Sequence, residues 1–327
     1  MVKMHNPKKN KHKLFGKKPE TKQADFKEKG GSFYYKYYKQ LLIIPMLMLL
    51  IAFVLIGFKV ATTGEFINKG ISLKGGTSFT ITQDLADIQS ISLSDLKNSL
   101  LNEYPQADIE VRELQEFGVR KAVLIDVDIS EQQELELFQT SIVSNFNDLT
   151  KEELAGNMQM TGSALGNTFF KQILKALILA FIFMAIVVFI QFRVAVPSLA
   201  VILCAFSDIV VTIAIINLMG VKLSTAGIAA FLMLIGYSVD TDILMSTRVL
   251  KEKTGTVYER IISSLKTGML MNLTTLAAVS VALFLTQSEV IRQIMLILFI
   301  GLIVDMINTW IQNAGILRYY AEKEESK

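Results

Sequence analysis

Four carboxylates lie inside apolar runs of this chain. Asp208 sits near the middle of Val196–Met219, Asp240 and Asp242 lie in the next run, and Asp305 falls inside the last. An acid at the centre of a bilayer-spanning helix costs ~2.5–3.5 kcal/mol on insertion scales, so each needs a partner, a water cavity or a task. The chemistry open to such groups is uptake and release of a proton or a cation, an ion path through the membrane. The alternative is structural, polar side chains that hold helices together by hydrogen bonds. Asp305, Asn308 and Gln312 follow i, i+3, i+7 spacing and share one helix face. Asp240 and Asp242 are two residues apart and point different ways, so at most one faces a given neighbour. Arg248 is placed to pair with an acid a turn or more inward, or to anchor the inner end of its helix. No run or loop offers a nucleophile with a base, a metal triad or a phosphate loop, so the residues argue against an enzyme and call for no cofactor. The one cysteine, Cys204, lies inside an apolar run, which leaves no disulfide framework and no metal cluster. His5 and His12 are both near the N-terminus, far from the acids.

The elements that must position these acids are membrane spans. The 327 residues are 51% hydrophobic, much of it in long blocks. Six candidate spans read at 41–58, 173–190, 196–219, 223–247, 268–285 and 290–314, most close to the ~20 residues needed to cross a bilayer. Met1 to Gln40 holds twelve lysines and three acids, which predicts a cytoplasmic tail. The domain plan is then a basic tail (1–40), span one (41–58), an outer domain (59–171), spans two to six (172–317) and a cytoplasmic C-terminus (318–327). Arg193, Arg248, Lys251, Lys253, Arg260 and Lys266 fall in inner loops, as the positive-inside bias requires. Lys171, Lys175, Lys222 and Arg292 lie near outer boundaries, where snorkelling accommodates them. Counted from the inner ends of their spans, Asp208, Asp240 and Asp305 lie roughly ten to twelve residues deep, at nearly one height for a rise of ~1.5 Å per residue.

The outer segment reads as a domain of about 100 residues, enough for a modest core of two helices on one face of an antiparallel sheet. Ile71–Leu73 and Thr77–Thr82 read as extended, with Gly75 and Gly76 as a turn or bulge between them. Ser94 to Tyr104 reads as a helix with an N-capping serine, and Ser130 to about Asn147 as a second. Ile109–Leu114 and Val119–Val127 alternate like a hairpin across Gln115–Gly118. A last extended piece, Gly156–Thr161, completes β-α-β-β-α-β, the ferredoxin-like arrangement. Its scattered acids suit binding or leverage rather than catalysis. In span four, Gly227 allows close packing, and Gly236, just before the acids, reads as a hinge or a packing site. The basic tail reads as a topology signal. It could also attract anionic membrane lipid, or touch ribosomal RNA, the only nucleic-acid contact these residues offer. Phe33, Tyr34, Tyr35, Tyr37 and Tyr38 mark an interfacial belt, on a stretch that reads as a short helix.

The segment Gly70-Ile71-Ser72-Leu73-Lys74-Gly75-Gly76-Thr77 resembles the signature that opens the external domain of SecD and SecF proteins. Thr161-Gly162-Ser163-Ala164-Leu165-Gly166 resembles their glycine pair at membrane entry. Ile235-Gly236-Tyr237-Ser238-Val239-Asp240, with Arg248 beyond it, resembles their fourth span, and Asn272-Leu273-Thr274-Thr275-Leu276 their fifth. The order of motifs covers the chain except its tail. Asp240-Thr241-Asp242 and Asp305 depart from the usual bacterial pattern and look more like archaeal members. Asp208 matches the family's acidic position in span three. The resemblance implies a six-span half of a transporter of the resistance-nodulation-division type. It implies an accessory subunit of the Sec translocase, partnered by SecD and a SecYE-type channel, acting on exported polypeptide and driven by a proton or sodium gradient. The competing readings are an exporter of lipid or small molecules from the same superfamily, and a passive assembly factor.

Overall fold

A computed structural model of the chain describes residues 31–326, except 83, 117, 118, 147, 253, 254 and 287. The basic residues of the tail up to residue 30, and the expectations placed on them, lie outside the described residues. Gly31–Leu41 is a helix, α1, and forms a unit of its own. The second unit, from Leu42, begins with α2 (Ile43–Thr63), which ends on Gly64 in the left-handed conformation.

A short helix α3 (Ile71–Lys74) leads into β1 (Gly76–Thr82). Ile71–Leu73 is therefore helical, not extended. Lys74 N and Gly75 N return to the carbonyls of Gly70 and Ile71, closing a turn that buries Leu73. Next come α4 (Leu93–Glu103), β2 (Ile109–Glu116), β3 (Val119–Val127), α5 (Gln132–Ser144), α6 (Lys151–Gly156) and β4 (Met158–Thr161). The strands form one antiparallel sheet in the order β2-β3-β1-β4. Alternation puts Phe79, Ile81, Val123 and Ile125 on the face that meets Leu96 and Leu100 of α4 and Phe138 and Ile142 of α5. The caps differ from those expected. Ser92, not Ser94, accepts from Asp95 N at the start of α4, and Glu131 precedes α5 with no side-chain cap. Helix α6 was not anticipated, although its Thr150–Glu153 capping box is a local sequence signal.

Five long helices follow: α7 (Ser163–Phe192), α8 (Ala195–Leu218), α9 (Thr225–Lys251), α10 (Val257–Leu285) and α11 (Glu289–Ile307). A π-helical turn (Asn308–Asn313) joins α11 to α12 (Ala314–Glu325). Six stretches are long and apolar enough to cross a membrane: Lys36–Thr63, Ser163–Phe192, Ala195–Leu218, Thr225–Lys251, Val257–Leu285 and Val290–Glu325. The second, fifth and sixth reach well past the apolar runs read from sequence, because their polar ends remain helical. Helices α8 and α9 are the most enclosed, and α9 packs on α7, α8, α10 and α11.

The α8–α9 loop is stitched to the chain entering the sheet domain. Gly70 N donates to Leu223 O (2.8 Å) and Leu223 N to Asn68 O (2.7 Å). Asn217 donates to Phe66 O (2.9 Å) and accepts from Asn68 N (3.2 Å). Lys222 bridges to Asp108 and Glu110 of the sheet domain, each at 3.1 Å. Both helices entering this loop carry buried acids, so the domain is tied directly to the elements that hold them.

Candidate functional site

Three of the four acids meet in the helix layer. Asp208 on α8 accepts from Ser238 Oγ of α9 (2.6 Å) and from Asn308 Nδ2 (2.8 Å). Asp305 on α11 accepts from Asn272 Nδ2 of α10 (3.0 Å) and from Thr309 Oγ1 (3.1 Å). Asp242 on α9 accepts from Thr309 Oγ1 (2.9 Å) and Asn313 Nδ2 (2.7 Å). All three carboxylates are at most 1% exposed. No Lys or Arg bridges to any of them among the described residues, so hydroxyls and amides provide their hydrogen bonds.

The π turn makes this convergence possible. Its i→i+5 bonding adds a residue to the turn, a feature concentrated at functional sites. Asn308, Thr309, Gln312 and Asn313 all turn inward and are fully buried. Thr309 lies between two carboxylates but carries a single hydroxyl hydrogen, so it donates to only one at a time. When one acid is protonated, the hydroxyl can accept from it and donate to the other. Asp242, Thr309 and Asp305 thus form a short hydrogen-bonded path. Asp242 Oδ2, Asn308 Oδ1 and Asn313 Oδ1 are buried oxygens without a donor among the described residues.

The remaining candidates separate. Asp240 is exposed on the outer face of α9, outside the cluster, and Asp242 is the one of the pair turned inward. Arg248 has two readings, an acid's partner or an anchor at the inner end of its helix, and the hydrogen bonds described for it do not include an acid. Its Nη1 donates to Ser263 O (3.2 Å) and Thr267 Oγ1 (3.0 Å), which ties α9 to α10. A Cβ at Gly227 would meet Leu223 Cδ2 at 2.6 Å and Gln293 Oε1 at 2.8 Å, which makes it a packing glycine. Gly236 has open space around it, and α9 runs through it unbroken. Gly75 (φ 93°) and Gly166 face each other: a Cβ on Gly166 would lie 2.9 Å from Gly75 N, and one on Gly75 2.3 Å from Ser163 Cα. Gly76 (φ 136°) passes equally close to Val127 O, whereas Gly162 has no neighbour that close. Asn272, Ser238, Thr309 and Asn313 were not singled out as site residues. Polar side chains within apolar runs were the available signal, but which of them face inward depends on the packing.

Outside the helix layer, Lys74 and Lys222 draw three acids of the sheet domain together, Asp108, Glu110 and Asp128. Burial works against a charge on Asp108, but Lys222 and Lys74 outweigh it and hold the carboxyl below its ordinary range. Lys74 is likewise opposed by burial, yet Asp108 and Asp128 raise it.

A bundle of apolar helices with a buried polar cluster, carrying an α+β domain between its first two spans, defines a multi-pass membrane protein. The model of the SecD/SecF protein-export membrane proteins, C-terminal part, matches residues 141–323. SecF of Pyrococcus furiosus is 38% identical over 290 residues, covering 88% of this chain and 93% of its own. SecF of Methanocaldococcus jannaschii is 38% identical over 301 residues, covering 89% of this chain and 99% of its own. This chain belongs to the SecD/SecF family of protein-export membrane proteins. The crystal structure of SecDF from Thermus thermophilus, a translocon-associated membrane protein, shares the fold with a TM-score of 0.69 at 20% identity. The match covers 88% of this chain but only 38% of that one.

Proposed function

We propose that this protein is an accessory subunit of the Sec translocase that works with a SecD-type chain and uses the transmembrane ion gradient to promote protein export. The observation that carries the reading is the cluster of Asp208, Asp242 and Asp305, enclosed by four helices, with hydroxyl and amide donors and no Lys or Arg bridging to it among the described residues. Burying several carboxylates without countercharge is expensive, and uptake of a proton or cation relieves it. Two alternating occupancies of such a site are what a gradient-driven device needs. The stitched α8–α9 loop offers a route from the cluster to the sheet domain. That domain is read as ferredoxin-like, on its β2-β3-β1-β4 order, and as extracytoplasmic, with both termini inside. Its role is to hold or release exported polypeptide, and the SecYE-type channel is the further partner.

The test is export in membrane vesicles under an imposed gradient, with Asp208→Asn in the assembled complex. Loss of the gradient-dependent part, with partner recovery unchanged, is the expected result. Normal export by that variant would return the cluster to the role of helix glue, the passive assembly reading.

A further inference from the structure

The sheet has one face that α4 and α5 leave uncovered. Those helices pack on Phe79, Ile81, Val123 and Ile125, so alternation turns Arg112, Leu114 and Leu124 to the opposite side. That side lies over the ends of α10 and α11, and between them is a cleft of about 500 Å³. Arg112, Leu114 and Leu124 form its roof, Leu283 and Leu296 its floor, and Arg292 lies one turn along α11 from Leu296. The volume is that of a small-molecule site.

The height of the cleft in the membrane follows from α11. Arg292 precedes Asp305 by thirteen residues, and Asp305 lies near the middle of the spanning stretch Val290–Glu325. At ~1.5 Å per residue Arg292 stands ~20 Å from the centre, just beyond the ~15 Å half-thickness of the hydrocarbon and level with lipid phosphates. Leu296, one turn deeper, stands at the edge of the hydrocarbon. Phe284, 77% exposed, carries the apolar floor outwards to the lipid side.

Charge selects the occupant. The acids nearby are already engaged: Glu113 accepts from Arg120 Nε (2.5 Å), and Asp126 accepts from Arg112 and Ser78. No acid side chain among those described pairs with Arg292. An extended peptide would meet the flat of the sheet, where β2 and β3 already bond to each other, and would find no strand to join. A zwitterionic headgroup brings its own cation and leaves Arg292 unbalanced. A phospholipid whose only charge is its phosphate balances it and lays its first methylenes on the leucines.

We infer that this cleft binds one anionic phospholipid, with the phosphate on Arg292 and the glycerol and upper acyl chains between Leu114, Leu124, Leu283 and Leu296. The lipid fills the wedge between the sheet domain and the spans. The inference stands on the membrane fold and is independent of the ion path.

The experiment uses the full chain in phosphatidylcholine vesicles doped with a photoactivatable lipid, either phosphatidylglycerol or phosphatidylcholine with a diazirine on its upper acyl methylenes. Labelled peptides are mapped by mass spectrometry. The anionic probe should label β2, β3 and the facing ends of α10 and α11 about fivefold more than the zwitterionic one, the preference that one basic residue confers at an anionic surface. Arg292→Gln should bring that ratio near one. Arg292→Lys should keep it, as should Lys171→Gln on the exposed side of α7. Equal label from the two probes in the wild-type chain overturns the inference, whatever the variants do, and leaves ordinary boundary lipid. Label centred on other segments, or a ratio that survives Arg292→Gln, overturns it as well. Soluble glycerol phosphate should not displace the label; full displacement would assign the cleft to a free anion. A crosslinker at Leu114 that captures an exported polypeptide in place of lipid would assign the cleft to that chain and also overturn the inference.

Discussion

Replacing Thr309 by valine keeps the shape of the side chain and removes the hydroxyl between Asp242 and Asp305. Although both contacts are within hydrogen-bond range, 2.9 and 3.1 Å, one hydrogen serves them in turn, so the loss is counted once. A hydrogen bond to a charged acceptor contributes ~1.5–3 kcal/mol net, and Asp242 and Asp305 keep Asn313 and Asn272 as donors. Thr309→Val should therefore destabilise by about 2 kcal/mol, and Thr309→Ser, which keeps the hydroxyl and loses a methyl, by about 1 kcal/mol or less. Cys204, the only cysteine and fully buried, reports unfolding of the helix layer through reaction with a thiol dye. Export in vesicles under an imposed gradient is the second readout. If the hydroxyl carries the proton between the two acids, valine abolishes the gradient-dependent part, while serine retains it. A valine variant with wild-type export would refute the path through Thr309. Equal dye midpoints for valine, serine and wild type would refute the energetic argument.

Gly75→Ala meets Ser163 Cα at 2.3 Å with φ at 93°, so backbone strain of ~1–3 kcal/mol adds to a similar overlap cost, and proteolysis at the domain junction should begin well below the wild-type temperature. Gly162→Ala, with nothing within 4 Å, should stay within about 1 kcal/mol of wild type in the same assay. Asp108 is held below its ordinary 3.8, so its ion pairs with Lys74 and Lys222 persist above that value and are lost as pH falls through the lower folded-state value. Lys74, raised above 10.5, keeps its pairs below that value and loses them as pH rises through the higher one. Amide protection factors for residues 108–116 and 119–128, corrected for the intrinsic pH dependence of exchange, should accordingly be flat between those two values and fall at the acid end, and Asp108→Asn should remove the acid limb. Cysteines at Ser92 and Gln133 should react with an impermeant reagent from outside and one at Lys251 should not; the reverse pattern would invert the proposed orientation.

Much of the architecture was legible because its causes are local. An apolar run of about 20 residues has few ways to satisfy its backbone in lipid except as a helix. The six spans and the isolated acids within them therefore stand out in the sequence. The alternation at Ile109–Leu114 and Val119–Val127 marks a hairpin for the same reason, and the Thr150–Glu153 capping box is an equally local signal for the start of α6. Ile71–Leu73 misled because a single helical turn is decided by what packs on it, here Gly166 and α7 against the buried Leu73. The choice between Asp240 and Asp242 could not be read locally either. The rotation of α9 about its axis follows from the sum of its contacts with four neighbouring helices, not from the residues around the acids. Thr309 and Asn313 face Asp242 through the added residue of a π turn, which a regular 3.6-residue count does not anticipate. Local composition is enough to place acids within the spans. Which acids meet, and through which hydroxyl, was decided by helix rotation and one irregular turn, both set by packing across the whole bundle.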